Sequence, residues 1–229
     1  MSKIIECDVV LIWAGIMSAT LATLLHELDS SLSIDIYEQL DTVAAESSAV
    51  GNNAGTGHSA FWELNYTPER ANGEVDITKA ISVAESCEVS KQFRASMVKK
   101  WAIQYPRLCI NRIPHCSVVF GEKNVKFLKT RHENMSKYPM FTGMEYTENH
   151  ARIRERMPLI MKHRDPNQSI AATYMNIGTD INFAAITRGL IDHITSTPQV
   201  RLHLKHHVSD LSKQPSGQRK VTVHDQITG

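Results

Sequence analysis

Cysteine is scarce in this chain, and what there is does not cluster. The four residues Cys7, Cys87, Cys109 and Cys116 form no Cys-x-x-Cys pair and no cysteine–histidine set at zinc spacing, so we expect reduced structural thiols and no metal. Long apolar runs are missing too. Stretches such as Val9 to Ile12 fall far short of the roughly 20 residues that a membrane-spanning helix needs, which leaves only a peripheral role at a membrane. Neither sign of charge is in excess: 25 lysines and arginines stand against 24 aspartates and glutamates, so no overall field draws the chain to nucleic acid or to an anionic bilayer. Residues 1–6 lack the basic, apolar and cleavage regions of a secretory signal, and a cytoplasmic location is expected. No internal repeat or low-complexity tract is visible.

What is present is a globular composition. With 229 residues, 42% of them hydrophobic, the chain can form one large domain or two small ones, each with a buried core. Cys7 to Ile12 reads as a continuous apolar strand of the kind found in the middle of a parallel sheet. Ile16 to Leu28 carries Met17, Leu21, Leu24, Leu25 and Leu28 at helical spacing, and Ser33 to Tyr37 reads as a second strand ending at Glu38. Together these make a βαβ unit. Further on, helices are predicted over 77–98 and 182–194, and strands over 117–120, 170–175, 200–204 and from Val221. Residues 121–128 suggest a turn and a following element, and 129–167 read as charged, turn-rich sequence.

A dinucleotide site needs a strand, a glycine turn, a helix whose N-terminal amides face the pyrophosphate, and then an acid that accepts from a ribose hydroxyl. Here Asp8 to Ile12 is followed by Trp13-Ala14-Gly15-Ile16-Met17-Ser18-Ala19, and Glu38 stands near the usual interval of about 20 residues after the turn. The glycine pattern is incomplete, since its first position holds Trp13. The plainer alternative is an ordinary βα turn, with Glu38 a solvated acid at a strand end. Ser47 to Ala60 adds weight to the functional reading, because its glycines let backbone approach a ligand while Ser, Asn and Thr side chains supply hydrogen bonds.

At these residues the sequence resembles the malate:quinone oxidoreductase family. The stretches that carry the resemblance are Ile16 to Leu21, Asn52 to Ala60, Glu63 to Thr67, Val75 to Ile77 and Gly178 to Phe183. The resemblance implies tightly but non-covalently bound FAD, L-malate as hydride donor and a membrane quinone as acceptor. It implies an α/β fold, in which a Rossmann-type FAD-binding domain is interrupted by a partly antiparallel substrate domain. Residues 1–66 would open the FAD domain, 67–175 would belong to the substrate domain, and 176–229 would return to the FAD domain. Family members are much longer, so the chain would be truncated at its C-terminus. Tryptophan would be expected where this chain has Gly51, Arg94 and Arg156, glycine at Trp13, and a smaller residue at Trp62.

Candidate cofactor contacts are Ala14, Gly15, Ser18, Glu38, Ser47, Ser48, Asn53, Gly55, Thr56 and Gly57. By the resemblance, the strand pair over 200–208 brings backbone at Val208 near the adenine. Oxidation of a secondary alcohol needs a base for the hydroxyl proton and cations for the substrate carboxylates. His58 is the candidate base, the alternative being a histidine that only hydrogen-bonds flavin or backbone. Arg131 and Arg112 are candidate carboxylate ligands, the alternative being solvated surface arginines. Two other functions stay open: a related FAD-dependent oxidoreductase acting on another hydroxy or amino acid, and a non-catalytic remnant. Oligomeric state is not legible.

Overall fold

The computed structural model describes residues 4–227. In chain order the elements are β1 (Val9–Ile12), α1 (Ile16–Leu28), β2 (Ile34–Tyr37), α2 (Thr78–Lys99), α3 (Pro106–Cys109), β3 (Ile110–Arg112), β4 (His115–Phe120) and α4 (Glu122–Met135). They continue with β5 (Glu145–Thr147), α5 (His150–Arg156), β6 (Ile170–Met175), β7 (Thr179–Ile181), α6 (Phe183–Thr195), β8 (Val200–His203), β9 (His206–Lys213) and β10 (Arg219–Asp225). Two compact units result, one of residues 1–55, 94–109 and 181–229, the other of 56–93 and 110–180. These divisions do not fall at the breaks expected after residues 66 and 175. The chain leaves the first unit at Gly55, and residues 94–109 rejoin it by way of the end of α2.

The first unit is built on a parallel sheet in the order β1-β2-β8. Its register aligns Val9, Ile34 and Val200, and likewise Leu11, Ile36 and Leu202, on one face. Ile34 and Ile36 are fully buried. Helix α6 contributes Ile186, Leu190, Ile191 and Ile194 to the core, and α1, which packs against α6, contributes Ala19, Ala22 and Thr23. The small residues of α1 permit a close approach between the helices. Among the described residues β1 pairs with β2 alone. The opposite face, with Val10 and Ile12, also carries a charged cluster. Asp35, fully buried, accepts two bonds from Arg201, at 2.8 and 2.6 Å, and lies 2.7 Å from His203 Nε2. Burial alone would raise the Asp35 pKa, but the Arg201 and His203 contacts outweigh it and hold the carboxyl below its usual range. A one-residue slip of β8 would turn both partners to the apolar side and strand the acid, so the cluster fixes the register.

The second unit is centred on an antiparallel sheet, β4-β6-β5, with Ser117 opposite Thr173 and Phe120 opposite Ile170. Helix α4 covers it through Val125 and Leu128, which meet Val119 and Ala171. The sequence of α4 is so charged that only its first half suggests an element, yet Val125, Leu128, Arg131 and Met135 recur at helical spacing and are all buried. An arginine in the apolar stripe hides that periodicity. The turn-rich stretch 129–167 accordingly holds the end of α4, β5 and α5. Among the described residues no helix is long and apolar enough to cross a membrane.

Two tryptophans occupy left-handed backbone, Trp13 at φ 69° and Trp101 at φ 63°. Trp101 follows α2 in a Schellman arrangement: its N–H reaches the Val98 carbonyl at 3.1 Å and the Ala102 N–H reaches the Met97 carbonyl at 3.0 Å. Glycine is favoured there, because an L side chain in this region costs roughly 1–2 kcal/mol. Both indoles are largely exposed and gain little packing in return. Trp13→Gly and Trp101→Gly should therefore each stabilise the fold by about 1 kcal/mol, after the entropy that glycine adds to the unfolded chain. Urea unfolding midpoints of the two variants check this, and an unchanged midpoint would show that the backbone relaxes without strain.

Candidate functional site

At the end of β1 the chain turns through Trp13, Ala14 and Gly15 into α1. The buried Ala14 N–H donates to Glu38 Oε2 at 2.8 Å, and the Leu40 N–H donates to Glu38 Oε1 at 2.9 Å. Glu38 is 5% exposed, and its own backbone N–H and C=O pair with the His203 carbonyl and the His206 N–H. The acid at the end of β2 is thus locked against the glycine turn. A carboxylate has about four accepting positions, so it can still receive other donors.

Gly15 caps α1 with extended backbone and no side-chain cap. The Ile16 N–H donates to Ser48 Oγ at 2.9 Å, and a Cβ at Gly15 would stand 3.3 Å from that oxygen. Glycine allows the 48 loop to press against the helix start. Ser18 Oγ turns back to the Ile12 carbonyl at 3.3 Å. Beyond the Ile16 N–H taken by Ser48, the first turn of α1 presents amide dipoles of the kind that bind phosphate.

Asn53 stitches its own loop together. Its Nδ2 donates to the Ser47 and Ala49 carbonyls at 3.0 and 2.8 Å, and its Oδ1 accepts from the Gly55 N–H at 2.9 Å. Both polar groups expected to meet a cofactor are therefore engaged in shaping the run. Gly55, at φ 64°, accepts from the Ile181 N–H at 2.5 Å. Ser47 is exposed, and Val208 sits in β9 opposite Val223, where the β9–β10 ladder is bulged.

In the second unit, Thr56 bridges to Asp180, and the Gly57 N–H donates to the Thr179 carbonyl at 2.9 Å. The next residue, His58, points its Nδ1 at Glu63 Oε1, 2.5 Å away. The His58 side chain is 54% exposed while that of Glu63 is 7% exposed. An open imidazole on a buried carboxylate is the arrangement of an oriented base. Glu63 was not singled out from sequence, because five residues of irregular chain carry no periodicity that places it against His58.

Arg131 is no substrate ligand in this structure. Its guanidinium is fully buried, donating from Nε to Thr67 Oγ1 at 3.0 Å and from Nη2 to the Ala60 carbonyl at 3.0 Å. Two further contacts of 3.3 Å reach the Phe61 carbonyl. Burial lowers its pKa to about 10, against the opposing pull of Glu63, so the group stays charged at neutral pH. Arg112 is exposed and its Nε donates to the Asn176 carbonyl at 2.8 Å, a loop contact with no acid attached. Nearby, His115 is buried beside Phe61 and its pKa is lowered by that burial. A Cβ at Gly178 would overlap the His115 ring and come 2.7 Å from the Ile113 carbonyl, which accounts for glycine at this point of the motif. Among the described residues no group of three or more His, Cys, Asp and Glu could hold a metal ion.

The nucleotide-type candidates, residues 14 to 55 with Val208, belong to the first unit, and Thr56, Gly57, His58, Arg112 and Arg131 to the second. A family model described as malate:quinone oxidoreductase (Mqo) matches residues 5–229. A Serratia proteamaculans protein named "Probable malate:quinone oxidoreductase" is 50% identical over 218 residues, 95% of this chain and 42% of its own length. A Flavobacterium johnsoniae protein of the same name is 46% identical, over 97% of this chain and 45% of its own. The chain thus spans less than half the length of these relatives. Among solved structures, L-amino acid deaminase from Proteus myxofaciens superposes with a TM-score of 0.66 at 16% identity, over 98% of this chain and 44% of its own. L-alpha-glycerophosphate oxidase from Mycoplasma pneumoniae, solved with FAD bound, gives 0.64 at 14% identity, over 96% and 50%. At such identities the likeness is one of fold.

Proposed function

The chain belongs to the malate:quinone oxidoreductase family, and from that premise we propose that the whole protein oxidises L-malate to oxaloacetate with FAD as cofactor and a membrane quinone as electron acceptor. The observation that carries the cofactor is the turn itself, where buried Glu38 is held against the Ala14 amide beside the N-terminus of α1. These groups fit FAD. Glu38 has accepting positions left for the ribose hydroxyls, the first turn of α1 suits the pyrophosphate, and Ser48 holds the turn in place. When bound, the flavin supplies the hydride acceptor. His58 takes the hydroxyl proton of malate at Nε2, the nitrogen turned away from Glu63. Contact with the bilayer is peripheral, made only to reach the quinone. Arg131 is enclosed and does not reach the malate carboxylates, while exposed Arg112 commits its Nε to backbone and keeps its Nη groups for a carboxylate.

The test uses this chain continued by the part of the Serratia proteamaculans relative that it does not cover. The purified protein should carry flavin absorbance and reduce a soluble quinone analogue with L-malate but not with lactate. The 229-residue chain alone should not turn over, because catalysis requires substrate and flavin fixed together. A flavin-free product would overturn the cofactor assignment. A flavin-loaded product inert to malate would overturn the substrate.

A further inference from the structure

We propose that Glu63 is the positioning residue for His58, holding the imidazole with its proton on Nδ1 so that Nε2 faces outward as the accepting nitrogen, and that Arg131 is the buried clamp that keeps Glu63 in place. The assignment deepens the reading of His58 as base and rests on it for the reaction served. A neutral imidazole has one N–H, and a carboxylate can only accept. At 2.5 Å from Glu63 Oε1, Nδ1 therefore carries the proton and the lone pair is left on Nε2.

The acid is held from several sides. A carboxylate this deeply buried is costly unless charge and hydrogen bonds compensate it. The enclosed Arg131 guanidinium supplies the charge, and its attraction to Glu63 is what opposes the loss of its own proton. The same guanidinium grips the carbonyls of Ala60 and Phe61, while Ser117 Oγ donates to the Trp62 carbonyl at 2.8 Å. Three consecutive carbonyls before Glu63 are thus fixed by side chains of α4 and β4. The grip also retains Ala60 at φ 59°, a left-handed conformation that an alanine does not favour. Beyond Glu63, Thr67 closes the loop: its N–H donates to the Leu64 carbonyl at 3.1 Å and its Oγ1 accepts from Arg131 Nε at 3.0 Å. Glu63 Oε2 has no protein partner, so the carboxylate is oriented through the histidine contact and the clamp.

Nuclear magnetic resonance of the chain labelled with 15N-histidine tests the assignment without flavin or malate. His58 should show the Nδ1–H tautomer and a far-downfield proton resonance, identified by its loss in His58→Asn. Glu63→Gln should abolish that resonance and shift the ring toward the Nε2–H tautomer that free histidine prefers. A wild-type ring with the tautomer mixture of free histidine overturns the proposal, whatever the variant does, and so does a resonance unchanged by Glu63→Gln. In the flavin-loaded protein, Glu63→Gln should lower kcat at least tenfold with little change in KM, and adding His58→Asn should lose little more. Independent, multiplying losses would overturn the coupling. If the wild type shows the tautomer but ignores malate, the functional reading fails and the positioning stands.

Discussion

Arg131→Leu should cost the fold about 3–5 kcal/mol, the range seen when one member of a buried charged network is removed. The leucine would fit the apolar stripe of α4, so packing is not what is lost. The carbonyls of Ala60 and Phe61 and the hydroxyl of Thr67 would lose their donors inside the protein, at roughly 1–3 kcal/mol for each group left unsatisfied. Recovery of the guanidinium desolvation offsets part of that. Glu63 would also lose its compensating charge and would have to protonate or reach water. Arg131→Lys should fall between, because an ammonium is a point charge and cannot reach separated acceptors as the planar fork does. Urea unfolding reads the difference, with Arg112→Leu, an exposed site, expected within about 0.5 kcal/mol of wild type. If Arg131→Leu unfolds at the wild-type midpoint, the clamp is not a stabilising element.

Glu38→Ala should weaken FAD binding roughly 10- to 100-fold in the chain continued by its relative's remaining part, through loss of a charge-assisted bond of about 1.5–3 kcal/mol. The same substitution removes the acceptor from the buried Ala14 N–H and from the Leu40 N–H, so the turn loses about 1–3 kcal/mol before any ligand is present. Glu38→Gln separates the two effects. It keeps one oxygen for the amides and the shape of the side chain, while giving up the charge that favours the ribose hydroxyls. Flavin titration of both variants, with thermal melts of their flavin-free forms, reads binding and folding apart. Wild-type affinity in Glu38→Ala would remove the residue from the cofactor site.

Glu38 was legible because strand, glycine turn, helix and acid are consecutive in the chain, and the spacing between them is set by the length of one βαβ turn. The helix predicted over Ile16 to Leu28 likewise forms at those bounds as α1, although the face it buries is Ala19, Ala22 and Thr23 while Met17, Leu21, Leu24 and Leu28 are exposed, and the helix predicted over 182–194 forms as α6 over Phe183–Thr195. Local periodicity records such elements because each residue's environment repeats with its neighbours. The family was legible for a similar reason, since the run Asn52 to Ala60 is contiguous in the chain and can be read without knowing the fold.

The chain by itself therefore determined the α/β class, the strand, glycine turn, helix and acid that bring Glu38 to Ala14, and His58 as a group to watch. Only the tertiary structure decided what Arg131 and Glu63 do. An arginine on a charged helix looks solvated until the packing of α4 encloses it, and a glutamate in irregular chain has no partner until that arginine and Ser117 shape the loop around it. In each case the deciding quantity is removal from water by residues distant in sequence, which spacing along the chain does not encode.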